Sequence, residues 1–240
     1  MDNIRKHKEM EKAREGISTL TAERLLGRPL NDVETKFAPK TLYAVGAMDI
    51  PLPAPRVSIV GSRRASPEGL ETAAKVARVL VKNQAVIVSG LALGIDTAAH
   101  KGAIASGGRT IAVIGTPLDR FYPPQNTELQ KEIMRSHLVI SQFPIGHKTM
   151  PRDFPFRNRT MALISDATVI IEAGETSGTL HQGWEALRLG RSLFIWRTIL
   201  ENKKLNWPQE MLNYGAMVIS DPKEMLETLP SPQRIENILA

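Results

Sequence analysis

From residue 56 onward, short and almost wholly apolar runs alternate with longer segments in which apolar residues recur every three or four positions. The short runs are rich in valine and isoleucine, and most end at glycine or a small polar residue. Such runs predict strands buried on both faces, and the intervening segments predict amphipathic helices. Their alternation is typical of a parallel sheet covered by helices. We therefore predict an α/β fold, a Rossmann-like extended parallel sheet with helices on both faces.

The predicted strands of this sheet are residues 57–60, 85–88, 110–114, 138–141, 167–171, 193–196 and 216–219. The predicted helices between them are residues 67–81, 95–106, 127–135, 157–165 and 178–189. Ser66 and Pro67 strengthen the first helix, since serine is a preferred N-cap residue and proline a preferred first helical residue.

The N-terminal part of the chain has a different pattern. Residues 3–26 alternate in charge around a thin apolar stripe, which predicts a polar helix, and residues 42–45 predict one short strand. We expect a helical extension over residues 1–40 and a Rossmann-like domain over residues 41–240. No apolar run approaches the ~20 residues of a membrane-spanning helix, and the N-terminus lacks the apolar core of a secretory signal. The expectation is a cytoplasmic protein with no membrane partner.

The amino-acid composition excludes several kinds of site and favours one kind of partner. The chain has no cysteine, which excludes a disulfide scaffold, a thiolate metal site and a cysteine nucleophile. Its 5 histidines are scattered and its carboxylates are not clustered, so we expect no metal and no cofactor. The net charge is +6, and residues 54–220 hold 20 Lys and Arg against 13 Asp and Glu. A basic folded domain favours a polyanionic partner, although a merely soluble basic domain has the same balance.

Small residues follow four of the predicted strands. They are Gly61 and Ser62, then Ser89, Gly90 and Gly94, then Gly115 and Thr116, and then Ser177, Gly178 and Thr179. Glycines let backbone N–H groups approach an anion, and the helix N-termini that follow favour negative charge. Arg63 adds a guanidinium that matches phosphate oxygens. A glycine after a strand is often only a tight turn, but several such loops on one sheet edge predict phosphate binding. The dinucleotide fingerprint and the P-loop are both absent.

Longer strings within these loops resemble one family. They are I-V-G-S-R at 59–63, V-S-G-L-A-L-G-I-D-T-A-A-H at 88–100, G-G-R-T-I-A-V at 107–113, Y-P-P-Q-N at 122–126, F-P-F-R-N-R at 154–159 and S-G-T at 177–179. In this order they are similar to the DNA-processing protein A family (DprA, also called Smf). The resemblance covers about residues 41–195.

The resemblance implies an extended Rossmann fold that binds single-stranded DNA without base specificity, protects it, and delivers it to the recombinase RecA in natural transformation. It also implies a homodimer. The family's DNA-binding arginine falls on Arg63, whereas Pro124 replaces a basic residue that the family uses. The loop 177–183 and residues 195–197 also depart from the family pattern, which leaves open whether the loop binds a nucleotide.

Further arginines extend the predicted DNA site. Arg109, Arg157 and Arg159 join Arg63 as candidate phosphate contacts on one sheet edge, with Asn158 between the last two. On a helix Arg157 and Arg159 diverge by ~200°, so we expect only one to face the site and the other to pair with an acid such as Asp153 or Asp166. Aromatic residues in the neighbouring loops could stack on bases or anchor the loops: Phe121, Tyr122, Phe143, Phe154 and Phe156.

An enzyme is the competing class. Loop 174–179 with Glu185 loosely resembles a signature of nucleoside-monophosphate phosphoribohydrolases, and a nucleotide-sensing defence protein is a further alternative. Glu172 and Glu175 are the other acids near this loop, and neither has a second acid or base at fixed spacing. Asp96 and His100 are four residues apart on a predicted helix, which we interpret as a buried hydrogen-bonded pair. The prediction is a binding protein with no catalytic residues, and not an enzyme.

The later part of the sheet domain is the predicted dimer surface. Its apolar residues are Leu187, Leu189, Leu193, Phe194 and Trp196, which could equally fill the core.

Overall fold

The computed structural model describes residues 16–230. Its strands are β1 (Ser18–Leu20), β2 (Leu42–Gly46), β3 (Arg56–Gly61), β4 (Val86–Ser89), β5 (Thr110–Ile114), β6 (Leu138–Ser141), β7 (Ala167–Glu172), β8 (Ser192–Trp196) and β9 (Met217–Ile219). They form one sheet in the order β1-β2-β6-β5-β4-β3-β7-β8-β9. β2 pairs antiparallel with both β1 and β6, and the remaining pairs are parallel.

The helices in the described part of the chain are α1 (Ala22–Leu26), α2 (Asp32–Phe37), α3 (Pro67–Lys82), α4 (Ile95–Ala105), α5 (Thr127–Ser136), α6 (Asp153–Ile164), α7 (Thr179–Arg188) and α8 (Trp207–Asn213). Among these described residues, no helix combines the length and the apolar character needed to cross a membrane. Short 3-10 turns lie at Pro124–Asn126, Arg197–Glu201 and Pro222–Met225.

The order of strands fixes which helices share a face. From β3 the chain adds β4, β5 and β6 on one side, and then returns to add β7, β8 and β9 on the other. Because parallel crossovers are right-handed, the helices of the two halves cover opposite faces of the sheet. α3 and α4 accordingly pack together, and α6 packs with α7. The predicted Rossmann-like sheet with helices on both faces is confirmed.

The central strands are buried on both faces, as their apolar sequences require. Every residue of β3, β4 and β5 is buried. The apolar side chains of the sheet and helices form one large core and a second, smaller one that includes Ile114, Ile133 and Val139. Burying valine and isoleucine side chains contributes about 1.5–3 kcal/mol each, which explains why these strands lack polar alternation.

The N-terminal segment differs from its prediction. The predicted helix over residues 3–26 contains β1, which pairs with β2, and α1 begins only after it. Thr21 caps α1 by accepting a hydrogen bond from the Arg24 N–H at 3.3 Å. The β-branched Thr19 lies in the strand, and Leu20 and Leu25 join the core. Residues 1–15, which hold the rest of this predicted helix, lie outside the described residues. The division at residue 40 stays a prediction.

α6 begins at Asp153, four residues before the predicted start at 157. The helix includes Pro155, because a proline within the first turn has no intrahelical hydrogen bond to lose. Because of this earlier start, Phe154, Pro155 and Phe156 lie in the first turns of α6.

Candidate functional site

A cleft of about 620 Å³ opens where β3 and β7 lie side by side. The chain leaves these two strands toward opposite halves of the sheet, and ligands of open α/β sheets bind at such a point. Its walls are the loop 61–66, the loop 174–179 and the first turns of α6 and α7. These elements carry most of the predicted site residues.

Two loops of the cleft are joined through Glu172. The Ser62 N–H donates to the Glu172 carbonyl at 2.7 Å, and the Glu172 carboxylate accepts from the Ser66 N–H and from the Ser66 hydroxyl at 2.7 Å. Ser66 also accepts from the Gly69 N–H at 3.0 Å, as an N-cap of α3. A Cβ on Gly61 would lie 2.8 Å from the Glu172 oxygen, so only glycine permits this approach. The loop 61–66 is therefore held in one shape.

The floor of the cleft is a buried set of polar groups. Arg157 donates from Nη1 to the Gly90 carbonyl and, at 2.8 Å, to the Val113 carbonyl, which joins the ends of β4 and β5. Asp96 accepts from the Gly90 N–H at 3.1 Å and from the Ala92 N–H at 3.3 Å. Burial raises the pKa of the Asp96 carboxyl, and the Arg157 guanidinium opposes this shift. Arg157 is buried, and its Nε has no partner among the described residues.

Gly94 is glycine because of its backbone. Its φ is +76°, a conformation that residues with a Cβ rarely adopt, and a Cβ would collide with the Ser62 carbonyl oxygen. That carbonyl accepts from the Ile95 N–H at 3.2 Å. The start of α4 is thereby fixed against the loop 61–66.

The loop 174–179 closes the opposite wall. Thr179 donates its hydroxyl to the Gly61 carbonyl at 3.0 Å, and Asn158 donates from Nδ2 to the Gly178 carbonyl at 3.1 Å. The Ser177 hydroxyl accepts from the Thr179 N–H at 3.3 Å. The structure thus brings residues of the loops after β3, β4 and β7 together with Asn158 and Arg157. Ser89 is the exception, since its side chain is fully buried and its hydroxyl donates to the Ile59 carbonyl at 2.7 Å.

Arg63 is an unpaired cation at the rim of this cleft. Its guanidinium lies 5.7 Å from the centre of the Phe154 ring, and within residues 16–230 it has no hydrogen bond or ion pair. The Tyr122 ring lies 5.8 Å from the Phe154 ring. Arg63 is exposed and Tyr122 is 41% exposed. An exposed guanidinium beside exposed rings suits a ligand that has both phosphates and bases.

Two predicted arginines lie elsewhere. Arg109 directly precedes β5 at the amino ends of the strands, across the sheet from the cleft, so the grouping on one edge was wrong for it. Arg159 donates to Glu185 at 3.0 Å and lies over the rings of Phe37 and Phe156, outside the cleft. The helical divergence of Arg157 and Arg159 is confirmed.

The expected pairing of one of the two arginines with an acid is confirmed by Arg159, but neither acid named as an example, Asp153 or Asp166, is its partner. Asp153 binds His147 at 2.7 Å and the Met150 N–H, and Asp166 binds Arg56 at 2.9 Å. Asp153 lies in the first turn of α6, where it receives the N–H of the preceding loop. Glu185 is instead in reach of Arg159 because α6 and α7 pack side by side.

Asp96 and His100 are buried, but not as the expected pair. His100 Nδ1 donates to the Thr110 hydroxyl at 2.7 Å, since that hydroxyl donates to the Ile87 carbonyl. Burial lowers the pKa of His100 to about 3, so its ring is neutral. Its Nε2 has no partner among the described residues. Asp96 thus holds the loop after β4 in place, and His100 is hydrogen bonded to Thr110 of β5.

The acids near the glycine-rich loop are all hydrogen bonded. The Glu172 carboxylate accepts a hydrogen bond from the hydroxyl of Ser66, the N-cap residue of α3. Glu175 accepts from the Asn206 N–H at 2.9 Å, and Glu185 accepts from the guanidinium groups of Arg159 and Arg188. No group of three metal-ligating side chains occurs in the described part of the chain.

Asn126 is a residue whose role the sequence analysis missed. It is buried, and its Nδ2 donates to the Leu91 carbonyl at 2.9 Å and to the Thr97 hydroxyl at 2.8 Å. It therefore holds the loop after β4 from outside the cleft. The string Y-P-P-Q-N pointed to this segment in the sequence. The role of its asparagine becomes clear only from the hydrogen bond to Leu91, which is 35 positions away in the chain. Of the predicted aromatics, Phe143 is buried and stacked on His147, which matches loop anchoring.

Three residues of the predicted dimer surface are core residues. Leu193, Phe194 and Trp196 are buried because β8 lies inside the sheet, between β7 and β9. Leu187 and Leu189 are partly buried against the same core. These five therefore do not form an exposed apolar surface.

Comparison with known proteins gives a consistent match. The family model described as DNA recombination-mediator protein A matches residues 28–230. DNA processing protein DprA of Streptococcus pneumoniae is 39% identical over 189 residues, which cover 79% of this chain and 66% of that protein. Protein Smf of Synechocystis sp. is 37% identical over 199 residues, covering 82% and 50%. This chain thus spans about half to two thirds of the length of these curated relatives.

Solved structures agree with this match. The X-ray structure of DNA processing protein A from S. pneumoniae has a TM-score of 0.76 at 31% identity, covering 94% of this chain and 78% of that one. DNA processing protein A from Helicobacter pylori, described for its single-stranded DNA binding mode, has a TM-score of 0.72 at 28% identity, covering 88% and 94%. A molybdenum cofactor binding protein from Rippkaea orientalis, at 17% identity and a TM-score of 0.54, shares the fold alone.

Proposed function

Because the chain belongs to the DNA recombination-mediator protein A family, we propose that its cleft binds single-stranded DNA through the phosphate backbone. The observation that carries the proposal is the unpaired Arg63 guanidinium over Phe154 at the rim of the cleft. Three loops held in place by hydrogen bonds lie around the cleft, and small and polar residues of the loops 61–66 and 174–179 line it. Phosphate contacts of this kind bind without base specificity.

The buried groups below Arg63 support the same proposal. Arg157 adds positive charge at the floor, and its Nε–H lacks a partner in the described residues. Asn158, Ser177, Gly178 and Thr179 supply polar groups on the far wall. Tyr122 and Phe154 offer rings on which bases of any sequence can stack.

The finer parts of the proposal concern partners. We propose that the protein protects incoming single strands in the cytoplasm and delivers them to RecA, as its family resemblance implies. We further propose a homodimer that uses the open edge of β9 with the neighbouring Tyr214. Tyr214 is 73% exposed and stands edge-on to Trp184 at 5.4 Å. Sedimentation at tens of micromolar protein tests this, and a clean monomer would remove the dimer.

We propose no hydrolase activity for this cleft. A phosphoribohydrolase needs a carboxylate free to act at the sugar carbon, whereas Glu185 is held by two arginines and Glu172 caps a helix. Incubation with AMP, GMP or CMP is expected to release no free base. Release that disappears in Glu175→Gln or Glu185→Gln would make the enzyme the better assignment.

Titration of labelled oligo-dT beside a duplex of equal length tests the proposed function. We expect tighter binding of the single strand, because the rings of the cleft can stack only on unpaired bases. With about 3–5 phosphates engaged, the logarithm of affinity should fall with the logarithm of salt at a slope near −0.7 per phosphate. Equal affinity for the duplex, or no dependence on salt, would contradict the proposal.

A further inference from the structure

A second basic surface lies between α3 and α4, on their outer side. The two helices form an open groove of about 580 Å³ whose floor is made of small residues. The floor consists of Ala74, Ala98, Gly102 and Ala105. A Cβ on Gly102 would lie 2.9 Å from the Ala74 Cα, so the helices are in close contact there. A floor of this kind lets a ligand approach the helix backbones.

Three cations surround this floor and none is neutralised. Arg78 and Lys82 lie on successive turns of α3, and Lys101 faces them from α4. All three are exposed, no acid lines the groove, and the described residues give none of the three an ion pair. Exposed cations commonly pair with acids within a turn, so three unpaired ones along one groove make a local field that attracts polyanions.

Arg109 extends this surface at its far end. Gly108 packs against Val81, the neighbour of Lys82, with only 3.0 Å between its Cβ position and the Val81 Cβ. Arg109 follows directly and is exposed. The arginine that does not belong to the cleft thus lies where the groove ends.

The groove and the cleft are connected through the two helices that form the groove. α3 begins immediately after the loop 61–66 and α4 begins immediately after Gly94, and both loops contribute residues to the cleft. Both helices then run toward the opposite edge of the sheet, and the 16 residues of α3 span about 24 Å. Arg64, exposed at the rim of the cleft, stands near the start of this path.

We infer that the groove between α3 and α4 binds the sugar–phosphate backbone of the single strand that continues out of the cleft. This inference rests on the proposed function. No aromatic side chain lines the groove, so it takes phosphates and reads no bases. This connection with the cleft favours the same strand over an acidic protein segment as the occupant.

The test compares two lengths of oligo-dT on three proteins. The probes have about 6 and about 20 nucleotides, a short one for the cleft alone and a long one for both surfaces. The proteins are the wild type, the groove variant Arg78→Gln/Lys82→Gln/Lys101→Gln, and a control variant Arg24→Gln/Lys40→Gln/Arg135→Gln. The control removes the same charge from exposed positions that line neither surface. Thermal unfolding midpoints establish that all three fold.

We expect the groove variant to bind the short probe like the wild type and the long probe about tenfold more weakly, with a salt slope smaller by about 2. The control should match the wild type on both probes. Wild-type affinity of the groove variant for the long probe would overturn the inference and leave an acidic partner as the remaining chemistry. An equal loss on both probes would also overturn it. If the wild type binds neither probe, the proposed function fails and this inference with it.

Discussion

At the scale of single residues, the site depends on which glycines face a neighbour and which face open space. A Cβ on Gly90 would collide with the Arg157 guanidinium and would lie 2.7 Å from the Asp96 carboxylate. Gly178, in the facing loop, has nothing within 4 Å of its Cβ position and a φ of −60°. The two glycines look alike in the sequence, since both follow a strand and a serine, but their surroundings are opposite.

This contrast makes a prediction about stability. Gly90→Ala should lower the free energy of unfolding by about 1–3 kcal/mol, because the methyl group displaces a buried guanidinium from its carbonyl partners. Gly178→Ala, the matched control, should change it by less than about 0.5 kcal/mol. Urea unfolding of both variants measures the difference. Equal stability of the two variants would show that Arg157 does not depend on this close approach.

The sequence indicated which side chains lie at one edge of the sheet better than it indicated which side chains form ion pairs with each other. Arg63, Gly61 and Thr179 could be assigned to one edge because the carboxyl ends of parallel strands share it. Arg109 was misplaced although the predicted strand 110–114 matches β5, because a residue that directly precedes a parallel strand lies at the amino end of the strands, opposite the cleft. The partner of Arg159 is set by the packing of α6 on α7, which no local pattern contains.

At the scale of elements, the buried acid Glu34 links α2 to the sheet domain, beside the contacts of Phe37 with Arg159 and Arg188. Glu34 caps its own helix by accepting from the Asn31 N–H, and it receives Arg28 at 2.6 Å and Arg191 at 2.5 Å. Its side chain is 1% exposed. The hydrogen bond from Arg28 is the main reason that the pKa of Glu34 is lowered to about 2. Arg191 follows α7, so Glu34 joins two elements distant in sequence.

The lowered pKa sets a pH dependence with a definite sign. An unfolded glutamate titrates near 4.5, so the contribution of Glu34 to stability is complete above that pH and is lost as the pH falls toward 2. We expect Glu34→Gln to be less stable than the wild type at pH 7, with the gap closing as the pH falls from 5 to 3. Glu23→Gln on α1, exposed, is the control. A gap that stays constant over this range would contradict the assignment.

The elements themselves were largely predictable. Each strand from β3 to β9 falls on a predicted apolar run, because buried parallel strands leave no room for polar residues. β1 was missed because three residues at a sheet edge carry too little pattern to outweigh the helical stripe around them. β2 pairs antiparallel with β1 and β6. Its direction could not be predicted, because the sequence alone does not specify which strands it pairs with.

At the scale of the whole molecule, the fold joins one binding edge with one basic face. β3 and β7 diverge at the cleft, and α3 and α4 carry the basic groove from its rim across the sheet. Part of the positive charge counted over residues 54–220 thus lies at these two surfaces, a division that the count of charged residues does not reveal. A strand that follows both would engage more phosphates than the cleft alone.

The central claim is that Arg63 in the cleft holds the phosphate backbone of single-stranded DNA. The most direct measurement is the titration of a labelled oligo-dT of about 6 nucleotides with the wild type, Arg63→Ala and the control Arg24→Ala. We predict that Arg63→Ala weakens binding by about 1–3 kcal/mol, because a charge-assisted contact is lost from a loop that other hydrogen bonds hold in place. Arg24→Ala should bind like the wild type. An unchanged titration curve for folded Arg63→Ala would contradict the account.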